Sequence, residues 1–154
     1  MILITGSTGV LGSALMKRKG VFAHNGRLED DYQPLTCKAA ILCAGTKGYK
    51  ECEGNTEAFR ADVDGNIRLI RYLLSMGSFV VFVSSEGVEW GAHTAYARNR
   101  LLVEQTLWLR EGTAVIRPGK FDKDTVSPVA DLCMKVCREK LEGVHYWRPD
   151  ERSV

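Results

Sequence analysis

The chain reads as an α/β protein, a doubly wound parallel sheet in three layers, α/β/α. Three observations predict this. Apolar, strand-like runs alternate with helical periodicities along the sequence. A glycine-spaced turn, Gly6-x-x-Gly9-x-x-Gly12, joins the first strand to the first helix. Phe79-Val80-Val81-Phe82-Val83 is apolar on both faces, as a central parallel strand covered by helices on each side must be. With 154 residues, 45% hydrophobic and 26% charged, the length allows one domain over 1–154 with a full core and leaves little room for a second.

The elements follow in order. Ile2 to Thr5 reads as a buried strand, and Val10 to Met16, after the glycines, as a helix ended near Gly20. Val21 to Ala23 offers a second strand before the polar stretch His24 to Gln33, and Ala39 to Cys43 a buried third, ended by Ala44-Gly45. Between Thr56 and Met76, Phe59, Val63, Ile67, Ile70 and Leu74 recur at spacings of three and four, which marks a helix capped by Asn55 or Thr56 with Gly77 beyond its end. After Phe79–Val83 come a helix from Thr94 to Arg110 stopped by Gly112, and a strand from Thr113 to Ile116 stopped by Pro118. Ser127-Pro128 opens a last helix that Gly143 ends, and Val144 to Trp147 adds a final strand. Such alternation implies right-handed crossovers between parallel strands.

Composition narrows the function. A formal charge of +2 is spread without a basic run or interleaved aromatics, Lys17-Arg18-Lys19 being the only short basic cluster, so no nucleic-acid partner is expected. Met1 is followed at once by apolar Ile2-Leu3-Ile4, with no basic leader and no apolar run of membrane-spanning length, which predicts a cytoplasmic protein without a membrane partner. Cys37, Cys43, Cys52, Cys133 and Cys137 are odd in number and lack paired C-x-x-C spacing, so reduced thiols are expected. Cys133 and Cys137 lie four apart, but His24, His93 and His145 lack ligand spacing, and no metal site is predicted. Trp90, Trp108 and Trp147 are dispersed, which suits packing better than a platform for bases.

The glycine turn carries the first chemistry. Its glycines permit a tight turn, close approach of the backbone to a pyrophosphate and close helix–sheet packing, while the helix start offers amides to phosphate oxygens. Gly6, Ser7, Thr8, Gly9, Val10, Leu11 and Gly12 are therefore the candidate dinucleotide cradle; the bland alternative is a tight turn that binds nothing. The acidic residue expected about 20 residues on is replaced by His24-Asn25-Gly26-Arg27, with Glu29, Asp30 and Asp31 past the strand tip. Arg27, with Leu28 beside it, or Arg18 or Lys17, can pair with a 2'-phosphate, which tilts the choice to NADP over NAD. Arg27 reads equally well as a solvated loop cation.

Five segments in this order, Thr5-Gly6-x-x-Gly9-x-x-Gly12, Ala44-Gly45, Ser84-Ser85, Tyr96 and Arg117-Pro118-Gly119, resemble the extended short-chain dehydrogenase/reductase family. Nucleotide-sugar epimerases and dTDP-4-dehydrorhamnose reductases are the nearest members in pattern, from Met1 to about Gly119. The resemblance implies a Rossmann-type sheet, a nicotinamide cofactor across the carboxyl ends of the strands, and a Ser/Thr-Tyr-Lys catalytic set. On that pattern Ser85 holds a substrate oxygen, Tyr96 exchanges a proton with it, and Ala44, Gly45, Ser84 and Pro118 border the cofactor.

Three departures accompany the match. The lysine is absent, and Arg100 stands four residues after Tyr96 on the same helical face, where its cation can favour the tyrosinate and bond the nicotinamide ribose but cannot relay a proton. Asp62 stands where relatives carry Asn. The substrate domain is reduced to a short extension, 121–154. The implied function is an NAD(P)-dependent oxidoreductase or epimerase acting on a carbonyl or hydroxyl, of a nucleotide sugar by analogy. A non-catalytic NAD(P)-binding sensor or regulatory module is the alternative, and a structural remnant binding no nucleotide a third. The resemblance also implies a homodimer, in which Thr56–Met76 and Thr94–Arg110 build a four-helix bundle across a two-fold axis.

Overall fold

In a computed structural model that describes residues 1–24, 37–45 and 49–149, six parallel strands form one sheet. They are β1 (Ile2–Thr5), β2 (Val21–Ala23), β3 (Ala39–Leu42), β4 (Phe79–Val83), β5 (Thr113–Pro118) and β6 (Gly143–Trp147), in the order β2-β1-β3-β4-β5-β6. The chain leaves β1 first to one side, for β2, and then to the other, for β3, so the topological switch lies between β1 and β3. Among the described residues β2 alone lies outboard of β1.

Alternation along the strands sorts the core into two layers. Ile4, Ile41, Val81 and Ile116 face α1 (Val10–Leu15) and α6 (Val126–Glu139), where Leu11, Leu15, Val129, Ala130, Cys133 and Val136 meet them. Leu3, Leu42, Val80, Phe82 and Val115 face the other side. There they pack on Leu69, Ile70 and Leu73 of α4 (Asn66–Ser75) and on Val103 of α5 (Ala95–Gln105). The doubly covered β4 is buried along its whole length, as its sequence requires.

The helix expected over 56–76 is present but not uniform. It runs as α3 (Thr56–Phe59), a π-helical segment (Arg60–Gly65) and α4. The side-chain amide of Asn66 donates to the Asp62 carbonyl at 2.7 Å, taking an acceptor that the α-helical ladder would use, and the turn widens there. Asn55 is the cap, its Oδ1 accepting from the Ala58 N–H at 3.0 Å. A short helix, α2 (Tyr49–Cys52), precedes it and was not anticipated.

Other boundaries shift for local reasons. Helix α5 stops at Gln105 and continues as turns to Leu109, where the Thr106 hydroxyl bonds back to the Val103 carbonyl at 2.7 Å. Helix α6 begins at Val126, one residue before the expected Ser127, and ends on Lys140 in the left-handed conformation rather than at Gly143, which opens β6 instead. No helix among the described residues is long and apolar enough to cross a membrane.

Candidate functional site

Four strand ends converge on the switch point, and the residues after them enclose a cavity of about 440 Å³. The first wall is the glycine turn. A Cβ on Gly12 would lie 1.8 Å from the Gly6 carbonyl oxygen, so only glycine lets α1 start so close to the strand end. Thr5 ties the turn to the next strand, its Oγ1 accepting from the Cys43 and Ala44 amides at 3.0 and 3.1 Å. Gly9 caps α1 in an extended conformation with no side-chain acceptor, which leaves the amides of the first turn to a ligand or water. Gly6, Gly9, Val10, Leu11 and Gly12 all line the cavity, whereas Ser7 and Thr8 do not.

The second wall follows β3 and β4. Gly45 borders the cavity and Ala44 sits behind it. Ser85 Oγ accepts from the Gly87 amide at 3.1 Å, opening a short 3₁₀ turn (Glu86–Val88), and the residue faces the cavity. Its neighbour Ser84, also on the lining, is buried and donates its hydroxyl to the Glu104 carboxylate. That hydroxyl therefore serves the fold, and only the rest of Ser84 can border a cofactor.

Helix α5 supplies the third wall. Thr94 caps it, accepting from the Ala97 amide at 3.1 Å, and Tyr96 and Arg100, one turn apart, both reach the cavity. Arg100 is only 5% exposed. Its guanidinium carbon lies 5.3 Å from the centre of the Tyr96 ring and 5.4 Å from that of Phe82, and Nη1 donates to the Val83 carbonyl at 3.4 Å. The cation thus covers the face of the tyrosine ring. A Cβ on Gly45 would meet Arg100 Nη2 at 2.1 Å, so the glycine makes room for the arginine. Cys43 lies beside it, and burial pushes that thiol up to about 12 although Arg100 pulls the other way. It stays protonated and is no nucleophile.

Pro118, Gly119, Lys120 and Phe121 close the fourth side. Phe121 packs edge-on against Trp147, with ring centres 6.5 Å apart. Of the site residues read from the sequence, the cavity joins the glycine turn, Gly45, Ser84, Ser85, Tyr96, Arg100 and Pro118. Arg27 and Leu28 lie outside the described residues. Arg18 is engaged elsewhere: it pairs with Asp131 at 2.8 Å and bonds Ser127 on α6, which removes it from the cations considered for a 2'-phosphate. Sequence reasoning missed Cys43, Glu86, Lys120 and Phe121; their adjacency to Ala44, Ser85 and Pro118-Gly119 was the available signal.

A doubly wound sheet with a glycine-turn cavity at the carboxyl ends of its strands defines the nucleotide-binding class of α/β folds. More narrowly, the fold is that of the extended short-chain dehydrogenase/reductases. A hypothetical dTDP-4-dehydrorhamnose reductase from Sulfolobus tokodaii superposes with a TM-score of 0.75 at 16% identity, over 94% of this chain and 75% of that one. A dTDP-4-dehydrorhamnose reductase from Bacillus anthracis in complex with NADP gives 0.76 at 15%, over 94% and 73%. A UDP-glucose-4-epimerase from Stenotrophomonas maltophila, with bound NAD and formylated UDP-arabinopyranose, gives 0.72 at 16%, over 96% and 77%. No protein-family model and no curated protein matches the sequence.

Proposed function

We propose that this protein is an NAD(P)-dependent oxidoreductase or epimerase that acts on a carbonyl or hydroxyl group, with a nucleotide sugar as the favoured substrate class. The observation that carries the reading is the meeting of the glycine turn, Ser85 and Tyr96 on one cavity of about 440 Å³ at the topological switch. The residues present fit a dinucleotide. Gly9 to Gly12 bring uncapped amides and bare backbone to the place a pyrophosphate takes, where a side chain would fill the cradle. When bound, the nicotinamide supplies the hydride donor or acceptor. Ser85 Oγ then holds the substrate oxygen, and Tyr96 gives or takes the proton there. Arg100 keeps a positive charge beside the tyrosine ring. NADP is preferred over NAD, with Arg27 as the residue for the extra phosphate.

A second reading, a non-catalytic NAD(P)-binding regulator, is favoured by one observation: the guanidinium of Arg100 lies over the Tyr96 ring face, 5.3 Å from its centre. We further propose a homodimer through the helices of 56–76 and 94–110, where Phe59 of α3 and Leu102 of α5 are each 39% exposed, and a cytoplasmic location in keeping with five free thiols. Sedimentation showing only monomer at micromolar concentration overturns the dimer.

Calorimetric titration with NADPH, NADP, NADH and NAD, repeated on Gly9→Asp, tests the cradle. Micromolar binding lost in the variant supports it, and no binding to any of the four removes the dinucleotide reading. Given binding, a carbonyl-substrate screen followed by Tyr96→Phe separates the two readings. A loss of roughly 10²–10⁴ in turnover is the expected contribution of a general acid or base, while hydride transfer in neither protein favours the regulator.

A further inference from the structure

Arg100 is a buried cation without an ion pair among the described residues. A guanidinium offers five N–H donors in a planar fork, and here one of them reaches a partner, the Val83 carbonyl, at a long 3.4 Å. The remaining contacts are the faces of Phe82 and Tyr96. Arg18, Arg98, Arg117 and Arg148 each pair with a described carboxylate, and Arg100 does not. The nearest candidates fail for visible reasons. The Cys43 thiol beside Arg100 stays protonated through burial. Asp62, buried on the π-helical segment, opposes Arg100 in its effect on the Cys52 thiol, and no ion pair among the described residues joins the two. Glu86 borders the same cavity but directs its carboxylate at Gly119, where Oε2 would stand 3.0 Å from a Cβ.

An uncompensated charge removed from water is costly, and ring faces offset only part of that cost. The residue lies 5% exposed, on the wall of a cavity that also holds the glycine cradle and Lys120. We propose that Arg100 is an oxyanion-binding residue: its fork receives a carboxylate or phosphate group of the molecule bound in this cavity, completing a charge pair that the described residues do not supply. Gly45 is part of the device, since any side chain there would occupy the place of Nη2. A lysine at this position would present a point charge on a flexible stem, whereas the arginine presents two parallel N–H bonds matched to a planar carboxylate or a phosphate edge. The inference deepens the functional reading above and rests on this cavity being the ligand site; the identity of the cofactor is a separate matter.

The test uses the full chain and three variants, Arg100→Gln, Arg100→Lys and the surface control Arg98→Gln. Malonate, inorganic phosphate, inorganic pyrophosphate and NADPH serve as probes, read by calorimetry and by the thermal midpoint. The wild type and Arg98→Gln are expected to bind at least one of the three small anions. In Arg100→Gln that affinity falls by about tenfold to a hundredfold, the loss of one charge-assisted hydrogen-bonded pair. Arg100→Lys falls between, and it carries the test if the glutamine variant does not fold. Malonate binding that is lost in Arg100→Gln while NADPH affinity holds, with both ligands bound together in the wild type, assigns the anion to the substrate. Competition between malonate and NADPH, both weakened by the variant, assigns it to a cofactor phosphate. Anion binding lost in Arg100→Gln by a protein that never binds NADPH leaves the inference standing and removes the dinucleotide reading. No anion binding by the wild type, or equal binding by Arg100→Gln, overturns the inference.

Discussion

Arg117, in β5, and Arg100, in α5, are both drawn into the protein and are treated in opposite ways. Arg117 Nη2 lies 2.7 Å from Glu104 Oε1, its Nε lies 3.2 Å from both carboxylate oxygens, and Nη1 donates to the Tyr146 hydroxyl at 2.9 Å. Glu104 is fully buried and also receives the Ser84 hydroxyl and the Trp108 indole N–H, so three further groups, with Tyr146, share one charge pair. One turn earlier on the same helix, Arg100 has a single long bond to a backbone carbonyl. The difference separates a charge that belongs to the fold from a charge that belongs to the cavity. Both arginines are legible as cations in the sequence; only the position of Glu104 tells them apart.

The largest effect is expected at Glu104. Replacing it by Gln leaves Arg117 without its counter-charge inside the sheet edge, and about 3–5 kcal/mol of unfolding free energy is lost. Urea unfolding followed by the fluorescence of Trp108, which touches the site, measures it. The double change Glu104→Leu with Arg117→Met recovers most of the loss, because apolar groups of similar volume need no partner. A neutral Glu104→Gln would erase the contrast.

An intermediate effect belongs to the thiols. Burial pushes Cys137 up to about 12 against the pull of Arg138, and Cys43 up to about 12 against Arg100, so here the nearby cations lose to desolvation. Folded thiols then hold protons that unfolded ones release from about pH 8.5 upward. The unfolded state binds fewer protons in that window, and stability falls with rising pH by at most about 1.4 kcal/mol per unit for each thiol, while remaining flat with respect to these groups below about pH 8. Urea midpoints between pH 7 and 10.5 check the sign. A midpoint that rises through this range would contradict the assignment.

The sharpest test of the comparison is a small effect. Arg100→Met removes a charge with no partner to strand and with an uncompensated desolvation cost, so the ligand-free protein holds or gains stability, any loss staying below about 1 kcal/mol. A loss as large as that of Glu104→Gln would make Arg100 a member of the fold. Arg18→Ala gives the baseline for an ordinary surface pair, Arg18 with Asp131, whose side chains are 32% and 64% exposed; less than about 1 kcal/mol is expected from the same unfolding curves.

How far the sequence carries follows the same division. Runs with a strict period were legible: Phe79–Val83 is a strand to the residue, and the glycine turn sits between β1 and α1 as its spacing demands. Elements set by one side chain were not. Nothing in the periodicity of 56–76 reveals that the amide of Asn66 will take the Asp62 carbonyl, and α2 is too short to show a period at all. Lys140 in the left-handed conformation ends α6 where a glycine was the natural expectation. In the site, Tyr96 and Arg100 were placed together by their spacing of four, but the seating of the guanidinium on two aromatic faces depends on Gly45 and Phe82, which come from other strands. Nothing in the sequence marks Glu104 as buried, because its partner lies 13 positions on.

Six π-helical residues inside an otherwise α-helical rod act as a phase shifter. An α-helix advances about 100° per residue, and a π turn holds one residue more than an α turn. Downstream, Leu69, Ile70 and Leu73 meet the sheet in phase because the wider turn absorbs that residue. Loss of a single residue between 60 and 65 would let the helix heal into plain α with this stripe still in phase with α3, whereas the same loss within α4 ahead of Leu69 would turn the stripe by about 100°. Within this rod, chain length is therefore less constrained inside the π-helical segment than in the α-helical turns on either side of it.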